Sequence, residues 1–90
     1  MANNSSGLSC FDNLENGLLG LGLVEDARRL HGTLVSVYTT SSEMFGEIGE
    51  MVRHIHRTIP ESARVELRSE FAACARLVRG YWPEFTIDGP

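Results

Sequence analysis

The stretch VEDARRLHGTLVSVYTTSSEMFGEIGEMVRHIHRT, residues 24–58, decides the fold. Starting from Leu23, the residues Ala27, Leu30, Leu34, Val37, Met44, Ile48, Met51 and Ile55 follow one another by steps of four and three, with Ser41 where one apolar residue is due. With Ala27 at heptad position a, this a/d seam persists for more than four heptads. Such a period belongs to a helix and not to a strand or loop. A second stripe at position e comprises Tyr38, Phe45, Val52 and Ile59. An a/d/e face is wider than one neighbouring helix covers, so this segment is expected to be packed on several sides. As a continuous helix, its 35 residues would span roughly 50 Å at about 1.5 Å per residue.

The weak point lies at Thr39-Thr40-Ser41-Ser42, four poor helix formers in a row. Thr40-Ser41-Ser42-Glu43 also fits a capping box, which would restart a helix there. Because the heptad phase is kept across the gap, the reading taken is one long helix over 24–58, with a kink or restart as the competing reading.

Working outward, Leu8, Phe11, Leu14, Leu18 and Leu19 have helical spacing and predict a short helix over 9–19. Gly17, Gly20 and Gly22 then end it and turn the chain. On the other side, Pro60 disfavours helical geometry at Ile59 and suits the start of a new helix. Leu67, Phe71, Cys74, Val78 and Tyr81 repeat at helical steps, so a second long helix is expected over 61–81, stopping before Pro83. The short connection makes it antiparallel to the first. The expectation is thus an all-α fold: an antiparallel helical hairpin with a short N-terminal helix, its surplus apolar surface covered by a second copy in a helical bundle. Residues 1–7 read as a frayed polar tail and 8–90 as one helical domain.

At 90 residues the chain is one small domain, for which association would supply extra burial. Apolar residues make up 42% of it, which excludes a wholly disordered chain. No apolar run reaches the roughly 18 residues of a membrane span. The start MANNSSGLSC lacks a basic region and an apolar stretch, so no signal peptide is expected and a cytoplasmic location follows. A net charge of −4 disfavours a general nucleic-acid binder. The two cysteines, Cys10 and Cys74, are expected to be reduced, with Cys74 on an apolar helix face.

No residues announce catalysis. His54 and His56 lie two apart and point to opposite sides of a helix, whereas two histidines sharing a metal on a helix need four-residue spacing. No nucleophile and base are set at a fixed spacing, and the glycine-rich 17–22 segment lacks the lysine of a phosphate-binding loop. No enzyme activity, metal or cofactor is therefore expected. The function expected is that of an adaptor, regulator or inhibitor that binds another protein, itself, or both through helical faces. The residues assigned to that binding are Tyr38, Phe45, Val52, Arg53, Arg57, Arg64, Arg68, Trp82 and Phe85. The arginines gather near the Pro60 turn, and the aromatic tail at 81–87 either folds back on the hairpin, the favoured reading, or anchors a partner. The alternative is a nucleic-acid-associated regulator that uses the same basic tip.

Overall fold

The computed structural model describes residues 9–87, so the expected tail at 1–7 lies outside the described residues. Five helices follow in order: α1 Ser9–Gly20, α2 Val24–Leu34, α3 Ser41–Thr58, α4 Glu61–Glu66 and α5 Arg68–Arg79. The described residues contain no strand. No helix among them is long and apolar enough to cross a membrane.

Local chemistry sets each boundary. Gly22 has φ +80° and ends the first helix. The Leu23 N–H donates to the Leu18 carbonyl at 2.9 Å and the Gly22 N–H to that of Leu19 at 3.0 Å. This is the paired-carbonyl stop that a left-handed glycine permits. At the start of α3, the Thr40 hydroxyl accepts the Glu43 N–H at 3.0 Å. Glu43 Oε1 reaches back to accept from the Thr39 hydroxyl at 2.6 Å and the Thr39 N–H at 3.2 Å. Ile59 is extended (φ −79°, ψ 159°), as a residue before proline prefers. Ala63 and Arg64 N–H groups then bond to the Pro60 carbonyl as α4 begins.

The long helix over 24–58 is divided, which corrects the continuous reading. Residues 35–40 form a loop, and Val37, due on the seam, is 97% exposed. Side chains compete for the backbone here: the Tyr38 hydroxyl donates to the Thr33 carbonyl at 2.9 Å, and the Ser36 hydroxyl to that of Gly32 at 2.8 Å. The last turn of α2 is satisfied without further helix. Overall size points the same way, since the longest dimension is 36 Å and an unbroken helix of this length would exceed it. The helix expected over 61–81 is also interrupted, at Leu67 (φ −102°, ψ 19°), and stops at Arg79. Leu67 N–H to Ala63 carbonyl and Phe71 N–H to Leu67 carbonyl bonds still join the two pieces. Leu67 is buried against Gly17, where an added Cβ would come within 2.5 Å of its Cδ2.

Helices α1, α2, α3 and α5 close a ring: α1 touches α2 and α5, and α3 touches the same two. Phe11, Leu14, Leu18, Ala27, Leu30, Phe45, Ile48, Val52, Ile55, Phe71, Cys74 and Val78 fill its centre. Residues 80–87 then fold back on α3. Tyr81 stacks on Phe45 with centroids 4.3 Å apart, and Phe85 is fully buried. Phe85 lies where α3 carries Gly49, whose added Cβ would stand 3.3 Å from Phe85 and 3.0 Å from Val78. The wide apolar face of α3, which a second copy was expected to cover, is thus packed against α2, α5 and residues 80–87 of its own chain.

Two outcomes test this packing. Gly46→Ala, where nothing lies within 4 Å of the new Cβ, should raise unfolding free energy by about 1 kcal/mol, whereas Gly49→Leu should lower it by about 2 kcal/mol through overpacking; urea denaturation reads both. At the α3 cap, Thr40→Ala should cost about 1 kcal/mol. Hydrogen bonds from the Thr39 hydroxyl and N–H hold the Glu43 carboxyl below the usual glutamate range. Its contribution is therefore complete above the ordinary glutamate pKa and is lost as pH falls through the lowered folded value. The pH dependence of unfolding should weaken in Glu43→Gln.

Candidate binding groove at the turn between α3 and α4

The last turn of α3 carries His56 and Arg57, and the Pro60 turn brings α4 and the start of α5 beside it. A groove of about 360 Å³ lies between them, lined by His56, Glu61, Arg64, Val65, Arg68, Phe71, Ala72 and Ile87. An adjoining recess adds Arg57 to His56, Arg64 and Ile87. Helical spacing places Arg64, Arg68 and Phe71 on one side of the α4–α5 run, while Ile87 arrives from the folded-back tail. The His56 ring stands edge-on to Phe71, 4.8 Å between centroids at 85°.

The arginines of this tip divide by role. Arg64 Nη1 donates to the carbonyls of His56 and Ile59, each at 2.8 Å. A cation at the C-terminal end of α3 complements the helix dipole and satisfies carbonyls that have no helical partner. Arg64 makes no ion pair with Glu61, three residues before it, because its guanidinium is turned toward α3. Arg53 leaves the groove altogether. Its Cζ lies 5.2 Å from the centroids of both Trp82 and Phe85, and Nη2 is 4.0 Å from Glu50. This cation–π clamp compensates for an Nε that is buried without a hydrogen-bond partner. Arg57 and Arg68 are exposed. Among the described residues, no carboxylate lies within ion-pair distance of Arg57, Arg64 or Arg68.

Of the residues assigned to partner binding from sequence, only Arg57, Arg64 and Arg68 meet at this groove. Phe45, Val52 and Phe85 are buried in the chain's own core, because the tail folds back over α3 and takes the contacts that a partner was expected to make. Trp82 is half-buried against Arg53. Tyr38 lies in the α2–α3 loop, where its hydroxyl is occupied by Thr33. The apolar lining from Val65, Phe71, Ala72 and Ile87 was not anticipated. Val65 carried one signal, as a valine on the solvent side of α4 that is 59% exposed.

The groove sets multiply donating guanidinium groups, with the Glu61 carboxylate among them, around an apolar floor, and the guanidinium groups suit a carboxylate or phosphate beside an aliphatic group. Among the described residues, no cluster of three or more His, Cys, Asp or Glu side chains could hold a metal ion. No protein-family model, curated protein or solved structure matches the chain.

The bonds that tie Arg64 to α3 have a measurable weight. Arg64→Ala should lower unfolding free energy by about 1–2 kcal/mol. Arg64→Lys should recover only part of it, since an ammonium cannot span two carbonyls in one plane as a guanidinium does. Urea titrations of the three proteins check the order.

Proposed function

We propose that this protein is a non-enzymatic interaction module that holds an acidic segment of a partner protein in the groove of Arg57, Arg64 and Arg68. One observation carries the reading: Arg64 and Arg68 in the groove and Arg57 in the recess beside it, none with a described carboxylate partner, border an apolar floor on a chain whose net charge is −4. A local basic site on an acidic protein favours a short acidic ligand over a long polyanion, which the remaining surface repels. The partner's carboxylates pair with Arg57 and Arg68, Arg64 braces the site, and an aliphatic side chain rests on Val65, Phe71, Ala72 and Ile87. By occupying that segment the protein acts as an adaptor, regulator or inhibitor, in a cytoplasmic setting. The homodimer expected from sequence is not part of this proposal, since the face that motivated it is covered internally.

A fluorescent peptide that alternates glutamate with leucine should bind the full chain, and binding should weaken as salt rises. Arg57→Glu and Arg68→Glu should each weaken it by about tenfold or more, while Arg28→Glu on α2 should leave it unchanged. Binding of a single-stranded oligonucleotide through the same arginines, with the peptide ignored, would support the nucleic-acid alternative. Binding of neither would remove the groove as a site.

A further inference from the structure

The two cysteines, 64 positions apart, meet where α1 lies against α5. Cys74 is fully buried, and its thiol donates to the Cys10 carbonyl at 3.4 Å. Cys10, the second residue of α1, is half-buried. It borders a small open cleft of about 180 Å³ with Asn13, Ser69, Glu70 and Ala73. One sulfur of the pair is therefore within reach of a small solute, and the other lies behind it.

Their surroundings differ in electrostatics too. The neighbouring Cys74 side chain, followed by the Phe11 N–H, holds the Cys10 thiol below the usual range against partial burial and the Asp12 carboxylate. The same contact with Cys10, together with burial and then Glu70, pushes Cys74 up. The half-buried member beside the cleft is the better thiolate, and the fully buried member is the one kept protonated.

We propose that Cys10 and Cys74 are a peroxide-oxidisable pair, Cys10 attacking and Cys74 resolving, whose product is a reversible disulfide between α1 and α5. The oxidant is hydrogen peroxide or a small alkyl hydroperoxide. The Cys10 thiolate attacks one peroxide oxygen, the O–O bond breaks, and the departing hydroxide or alkoxide takes up a proton. Cys10 becomes a sulfenic acid, oxidised by two electrons as the peroxide is reduced. The Cys74 sulfur then attacks the Cys10 sulfur, the S–O bond breaks, and the hydroxyl leaves as water with the Cys74 proton. For hydrogen peroxide, two thiols and one peroxide give one disulfide and two waters. The closed loop takes in most of the chain, and in the chain-entropy account long loops raise stability most.

Mass spectrometry of the reduced full-length chain treated with hydrogen peroxide is the test. The expected product has lost two hydrogens, yields a linked Cys10–Cys74 peptide after proteolysis, and returns to two thiols with dithiothreitol. Its Tm should stand at least about 5 °C above that of the reduced protein. In Cys74→Ala, Cys10 should stall as a sulfenic acid captured by dimedone; in Cys10→Ser, Cys74 should stay unmodified. The wild-type peptide map needs no variant to fold. Retention of both thiols when free cysteine is fully oxidised, disulfides only between chains, or Cys10 passing to sulfinic acid beside an intact Cys74 thiol would each overturn the proposal.

Discussion

The apolar face of α3 is what α2, α5 and the folded-back tail must cover. Phe45, Ile48, Val52 and Ile55 are all buried, and Gly49 between them removes a side chain so that Phe85 and Val78 can close over the backbone. A face this wide takes α2 on one side, α5 on the other and the folded-back tail above. The break at residues 35–40 follows from that demand. Joined end to end with α3, α2 could not also lie against it. The loop's hydroxyls, the Tyr38 contact to Thr33 and the Thr40 cap make the break inexpensive by satisfying both exposed helix ends.

Stops and starts written in local chemistry were legible in the sequence. Gly22 needs only its own backbone to end α1, and Pro60 constrains only its neighbours. Thr40 and Glu43 cap α3 through residues within one turn. The division of the long segment was visible in that capping box, yet the heptad count outweighed it. Spacing records residue type and not hydrogen bonding, so Val37 kept the period while standing in solvent. The interruption at Leu67 was illegible for another reason: it accompanies contact with Gly17, fifty residues away on α1.

The basic tip was legible because the turn at Pro60 brings the end of α3 and the start of α4 together whatever else the chain does. Its partition was not. Arg53, Arg57 and Arg64 look alike in sequence, but one lies over aromatic rings, one is exposed and one is spent on α3 carbonyls. The path of the tail sets Arg53 apart, and the turn at Pro60 turns Arg64 toward α3. The same path explains why Phe45, Val52 and Phe85 have no surface to offer. Anchoring aromatics for a partner and core aromatics have the same composition, and the difference lies in whether the chain is long enough to cover them itself. Here Gly49 was the available clue, a glycine on the inner face of a helix otherwise filled with large side chains.

Core and groove are joined through that tail. Phe85 is held by burial, by Arg53 against its ring and by Arg79, whose Nη1 donates to its carbonyl at 3.3 Å. Ile87 lies two residues beyond and forms one wall of the basic groove. Its place there depends on the seat of Phe85, because a chain fixed at one residue has little freedom two residues later. Whatever loosens Phe85 therefore uncovers Gly49 and removes the apolar wall beside Arg57 and Arg64 together. The arginines would keep their charge but lose the apolar surface beside them. For the binding proposed above, selectivity would then rest on core packing and attraction for negative charge on the α3–α4 turn.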